Sequence, residues 1–163
     1  MIVVADTSVL INLCRVGQSG LFRQLFQDVV IPPEVAAEFT RLAGSVSRFG
    51  GLTLPDGIRQ QSPTILLPVV RAAEGLDSGE AAALSLAVEI HADAVLVDER
   101  RGRDVALQLG LRAIGILGLL LRAKSAGFLS AVRPVLDALQ RDAGFWLSES
   151  LRTQVLEVAG ENS

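Results

Sequence analysis

The sequence predicts an α/β fold in three layers: a parallel sheet of four to five strands with helices on both faces. Three observations predict it. Half of the 163 residues are hydrophobic but only 4% are aromatic, so the apolar mass is Ala, Leu, Val and Ile, the mixture expected where helices cover both faces of a parallel sheet. Short apolar runs alternate with longer periodic stretches, the order of a right-handed doubly wound sheet. Two of the runs end in aspartate, at Asp6 and Asp98, and strand exits are where sites form in such sheets.

Ile2 to Ala5 is the first strand; Asp6 ends it and Ser8 opens a periodic stretch, giving strand, turn, helix. Val29 to Ile31 is a second strand, and Pro32-Pro33 closes it while supplying the favoured first position of a helix over Glu34 to Leu42. From Gly44 to Ser62, Gly, Ser and Pro accumulate without a period, which predicts an irregular, flexible surface excursion. Ile65 to Val70 reads as a third strand, placed at a sheet edge because Pro68 cannot donate to a ladder. Asp77 or Ser78 caps a helix to about Ile90, and Ala94 to Val97 is an apolar run ending in Asp98, as expected of a strand buried on both faces. A helix over Arg101 to Leu109 stops at Gly110, a short strand covers Ala113 to Ile116, and helices are expected over 117–126, 130–141 and 148–159.

A chain of 163 residues buries one substantial core but not two, so residues 1–163 are expected to form a single domain. With 15 Lys plus Arg against 18 Asp plus Glu the net charge is -3, so binding to phosphate backbones needs a local basic patch. Cys14 is the only cysteine, which excludes an internal disulfide and a cysteine zinc cluster and fits a cytoplasmic location. No signal-like segment follows Met1, and the apolar stretch Ile114 to Leu121, broken by Gly115 and Gly118, falls short of the ~20 residues that span a bilayer.

Each candidate site residue has a plain structural alternative. Asp6 is placed to cap the first helix or to bind a metal ion at a strand exit. Asp98 is either a loop carboxylate neutralised by Arg100, Arg101 and Arg103 or a second ligand. If their strands are neighbours, the two carboxylates reach one ion, and oxygen ligands without His or Cys suit Mg²⁺ or Mn²⁺. Glu80, three residues past Asp77, completes a capping box, yet Leu84 and Ala87 place it on the apolar side of its helix. Glu38 lies on the stripe of Val35 and Leu42, where a plain amphipathic helix would not put a carboxylate. His91, the only histidine, sits in a helix-to-strand turn and reads as a terminus residue rather than a catalytic base. Cys14 reads as a buried small hydrophobe, and Trp146 as an anchor of the last helix to the core rather than a base-stacking platform. Gly115 and Gly118 lack a dinucleotide or P-loop context. A phosphatase of the aspartyl-phosphate type is disfavoured because Ser8 stands where a second Asp belongs.

The blocks VVADTSVLINL, IPPEVAAEF, LDSGEAAALSLA and AVLVDERRGRDVALQLGL, in that order over about residues 1–125, resemble PIN-domain nucleases, especially the toxin-type ribonucleases of type II toxin–antitoxin systems. The first block is the most specific. The resemblance implies a three-layer PIN-like fold and a Mg²⁺- or Mn²⁺-dependent ribonuclease. Its acidic quartet maps onto Asp6, Glu38, Glu80 and Asp98, with the metal on Asp6, Glu80 and Asp98 and with Thr7 or Ser8 hydrogen-bonding in the site. It also implies an RNA substrate and a cognate antitoxin protein as partner. Two departures stand out. Glu80 occupies a position that is often Asp, with Asp77 close by as a rival third acid. Helices over about 128–160 extend past the nuclease core, and their apolar faces are assigned to a homodimer or a protein partner. The rival reading is a catalytically inactive PIN-like module that binds RNA or protein through those helices.

Overall fold

The computed structural model describes residues 1–45 and 51–161. β1 (Ile2–Ala5) lies at the centre of a five-stranded, all-parallel sheet. β2 (Asp28–Ile31) and then β3 (Ile58–Gln60) lie on one side, β4 (Ala94–Leu96) and then β5 (Ala113–Ile114) on the other, in the order β3-β2-β1-β4-β5. The chain therefore builds outward from β1 in one direction, then returns to β4 and builds in the other. That reversal creates a crevice between the exits of β1 and β4, and the Asp6 N–H donates to the Leu96 carbonyl across it at 2.9 Å.

Period-two alternation divides the strands between two cores. Val3, Ala5, Val29, Ile31, Ala94 and Leu96 face one cluster, whereas Val4, Val30, Val95 and Val97 face the other. The first is closed by α1 (Thr7–Arg15), α2 (Leu21–Leu25), α3 (Pro33–Ser45), α7 (Ile116–Ser125), α8 (Arg133–Asp142) and α9 (Glu149–Val158); the second by α4 (Pro68–Ala72), α5 (Ser78–Glu89) and α6 (Arg100–Gln108). Helices on both faces explain why β1 and β4 read as unbroken apolar runs. Each fully buried Val or Leu contributes roughly 1.5–3 kcal/mol against solvent exposure.

Four expectations need correction. The edge strand is Ile58–Gln60, inside the stretch expected to be irregular, and Ile65 to Val70 is not a strand. Pro68 is instead the first residue of α4, a position where its fixed φ suits the helix and its missing donor costs nothing. β3 escapes notice because it has no apolar run: it is Ile-Arg-Gln, held to β2 by the ladder and by an Arg59–Asp28 ion pair at 2.6 Å. Residues 46–50 of the expected excursion lie outside the described residues. Second, the apolar faces of α8 and α9, assigned to a partner, pack inward: Val135, Leu136, Leu139, Val155 and Leu156 join the cluster that holds β1. Third, Trp146 does not anchor that packing, since it is 83% exposed and neighbouring Phe145 packs on the core instead. Fourth, Cys14 is only half-buried, although burial still pushes its thiol up to about 11.

Glu161 fixes the end of the described chain. It pairs with Lys124 at 2.7 Å and accepts from the N–H groups of Val132 and Arg133 at the start of α8. No helix among the described residues is long and apolar enough to cross a membrane.

Candidate metal centre at the sheet crevice

Asp6 stands at the N-cap of α1 in extended conformation, yet its side chain makes no capping bond. Only 4% of it is exposed. Burial drives its pKa up to about 7 against the opposing pull of the Thr7 N–H, and the nearby carboxylates of Glu80, Asp77 and Glu38 push it further in the same direction. Capping is thus not its role here, and its immediate company is acidic.

Glu80 fulfils both of its readings at once. Asp77 caps α5: Asp77 Oδ1 accepts from the Glu80 N–H at 2.8 Å, and Glu80 Oε1 accepts from the Asp77 N–H at 3.3 Å. That box uses only one oxygen. Glu80 Oε2 is buried and meets no hydrogen-bond partner. Burial raises the Glu80 carboxyl to about 7, with Asp77 and Glu99 adding to the rise and the Asp77 N–H resisting it. The two rivals differ in burial: Glu80 is 4% exposed, whereas Asp77 lies at the surface.

Glu38 reaches the same place from α3. It is half-buried, and its pKa is raised by burial and by Asp77, with Arg41 and the Thr7 hydroxyl pulling it down. The hydroxyl contact is weak, because Thr7 Oγ1 has no partner at hydrogen-bonding distance and angle. Gly79 makes the convergence possible. A Cβ there would lie 3.3 Å from Glu38 Oε2 and 3.4 Å from Asp77 Oδ1, so both carboxylates close on one point beside the first turn of α5.

Asp98 is fixed by a different element from those that carry the other acids. It follows β4, and Oδ1 accepts from the Ile116 N–H at 2.9 Å at the start of α7, while Oδ2 is buried without a partner. Its pKa is raised by burial; the Ile116 N–H and Arg103 oppose the rise and Glu99 adds to it. Burial is the largest influence on it, and the neighbouring charges Arg103 and Glu99 act in opposite senses.

The crevice therefore gathers Asp6, Glu38 and Glu80 with Asp77, and sets Asp98 at its β4 side. As the side chains stand, no group of three or more His, Cys, Asp or Glu among the described residues is positioned to hold a metal ion. The chemistry of the donors nonetheless fits a hard divalent cation. They are oxygens, they raise one another's pKa, and Glu80 Oε2, Asp98 Oδ2, Thr7 Oγ1 and Ser8 Oγ are buried without partners, a condition that a cation and its water relieve.

A family model described as PIN domain matches residues 2–161. The chain belongs to the PIN-domain family. No curated protein matches it. PIN domains are generally nucleases and typically use divalent metal ions, which agrees with an oxygen-only acidic crevice. The family match runs through α8 and α9, beyond the residues that carried the resemblance in the sequence.

The arginines that follow Asp98 in the sequence do not act together in this PIN domain. Arg101 Nε donates to the Glu74 carbonyl at 2.7 Å, away from Asp98. Arg103 faces Asp98 and shares a cavity of about 510 Å³ with Arg112 and Arg122. Nothing in the linear pattern marks Arg112 or Arg122, because β5 and α7 are separate elements that meet only in the fold. Gly79, Gly102 and Gly115, each beside a carboxylate, were likewise invisible as a set.

Proposed function

We propose that the protein is a divalent-metal-dependent ribonuclease that hydrolyses internal phosphodiester bonds, with Asp6, Glu38, Glu80 and Asp98 as its catalytic residues. The observation that carries this reading is Asp6: a buried carboxylate with a pKa near 7 that performs no capping and is surrounded by other acids. A protein does not collect like charges in a buried crevice unless something positive is to enter.

Asp6, Glu80 and Asp98 would hold Mg²⁺ or Mn²⁺, which supplies charge for the scissile phosphate and acidifies a bound water. The residues themselves divide the remaining work. The capping box fixes Glu80, leaving Oε2 directed inward. The Ile116 N–H fixes Asp98 by one oxygen and leaves the other free. Glu38, more exposed than Asp6 and raised in pKa, orients the attacking water and accepts its proton. In this proposal the chain acts in the cytoplasm as the toxin of a type II toxin–antitoxin pair and as a homodimer. Support comes from the order of its sequence blocks and from exposed Ile65, Leu66 and Val69, which suit a protein contact.

The deciding experiment is cleavage of a mixed single-stranded and structured RNA pool with Mg²⁺, Mn²⁺ or EDTA, comparing wild type with Asp98→Asn. Metal-dependent cutting lost in the variant supports the ribonuclease. One observation favours the other reading, a catalytically inactive RNA- or protein-binding module: the carboxylates do not stand as a ready metal-ligand set. Absence of cutting with either metal, by folded protein freed of any inhibitor, would select that module.

A further inference from the structure

The cavity beyond Asp98 has a different chemistry from the crevice. It opens where edge strand β5 meets α7 and α9, and Asp98, Arg103, Arg112, Arg122, Leu151 and Val155 line it. The three arginines are exposed, and none takes part in an ion pair or side-chain hydrogen bond among the described residues. Exposed Arg59 and Arg141 and half-buried Arg152 are paired with aspartates; what distinguishes Arg103, Arg112 and Arg122 is that they share one cavity. In a chain of net charge -3, Arg112 and Arg122, together with Arg103 turned toward Asp98, give this one cavity a local positive charge suited to an anion. Leu151 and Val155 on α9 add an apolar wall, and about 510 Å³ is within the range of pockets that accept a molecule of nucleotide size.

Resting on the ribonuclease reading above, we propose that this cavity is the subsite for the nucleotide next to the scissile phosphate. Arg103, Arg112 and Arg122 take its phosphates, Leu151 and Val155 lie against its sugar or base, and Asp98 marks the boundary with the reacting bond. The strand thus enters the acidic crevice across β5 and α7. Three of the positive charges that draw a polyanion to a cluster of carboxylates stand on this side.

The test is binding of a labelled single-stranded oligoribonucleotide to the Asp6→Asn protein over a range of salt, followed by steady-state cleavage with Asp6 restored. Replacing Arg112 and Arg122 together by Ala should weaken binding at least tenfold. The slope of log affinity against log salt should become shallower by about 1.4, since each contact to a single strand contributes about 0.7. Lysine at both positions should keep most of the slope. Arg23→Ala, on α2 away from this cavity, should change neither quantity. In cleavage, the double alanine variant should raise KM more than it lowers kcat. An adenosine monophosphate arm separates the two sources of the same chemistry: if the mononucleotide binds as tightly as the oligomer, the cavity serves a free nucleotide and the strand path is wrong. If wild type cuts RNA while the double alanine variant keeps its salt slope and KM, this proposal fails and the ribonuclease stands. If nothing is cut yet oligomer binding follows the arginines, the ribonuclease reading fails and the phosphate-binding cavity stands.

Discussion

Gly102 lies against Glu80 so closely that a Cβ in its place would stand 2.8 Å from Glu80 Oε2 and 2.9 Å from Val97 Cγ2. In an open helix, alanine would gain about 1 kcal/mol over glycine. Here the crowding outweighs that gain: overpacking a filled core costs roughly 1–3 kcal/mol, and the readiest group to move is the Glu80 carboxylate. Gly102→Ala should therefore lower thermal stability slightly and metal-dependent cleavage more than tenfold, with circular dichroism showing an intact fold. Full activity in this variant would remove Glu80 from the site.

The acidic crevice makes stability depend on pH in a definite direction. Asp6 and Glu80 have folded-state pKa values near 7, above those of an unfolded chain, so the folded state holds more protons between about pH 4 and 7. Without metal, stability should be greatest near pH 4 to 5, fall by a few kcal/mol as pH rises to about 7, and then level off. Mg²⁺ or Mn²⁺ should raise the melting temperature at pH 8 and leave it unchanged at pH 5, as differential scanning calorimetry will show.

Asp6→Asn keeps the shape and removes the charge. At pH 8 without metal it should be more stable than wild type by about 1–3 kcal/mol, because a buried like charge is gone, while RNA cleavage is abolished. A variant that is both destabilised and active would contradict the placement of Asp6.

Two substitutions at Asp77 separate its cap from its charge. Asn is as good a cap as Asp, whereas Ala costs about 1 kcal/mol. Asp77→Asn should keep stability and, by removing a charge that raises Asp6, Glu38 and Glu80, shift the rising limb of the activity profile to lower pH. Asp77→Ala should show the same shift together with the stability loss.

Glu161 ties the chain end to α7 and to the start of α8. Burial would raise its pKa, but Lys124 and the N–H groups of Val132 and Arg133 outweigh that and hold it at about 2. Its contribution is present above the ordinary carboxylate value and is lost as pH falls from about 4.5 toward 2. Truncation after Gly160 should cost about 1–3 kcal/mol in urea unfolding. We further propose that residues 1–161 unfold as one unit, so the truncated chain should still melt in a single transition seen alike by near- and far-ultraviolet dichroism.

How far the sequence discloses this molecule depends on the range of the forces involved. β1, β4 and α5 were legible because their signals are local: buried apolar runs, and an Asp and a Glu at capping-box spacing. That Asp6 and Asp98 leave neighbouring strands was only a condition in the sequence reading; the β1–β4 pairing meets it. β3 was hidden because its pairing with β2 rests on backbone bonds and one Arg59–Asp28 pair rather than on a pattern. The bond that fixes Asp98 was equally unreadable, since it comes from Ile116, a residue of another element. Trp146 was misjudged for a related reason: an aromatic side chain is usually buried, and only the course of the α8–α9 turn turns this one outward.

That outward turn has an optical consequence. The chain contains one tryptophan and no tyrosine, and the tryptophan is 83% exposed. Its emission is that of an indole in water whether the core is formed or melted, so fluorescence will scarcely register unfolding. The same indole is a built-in reporter of whatever covers the turn before α9: a blue shift or quenching on adding RNA or a second protein would place that contact without any label.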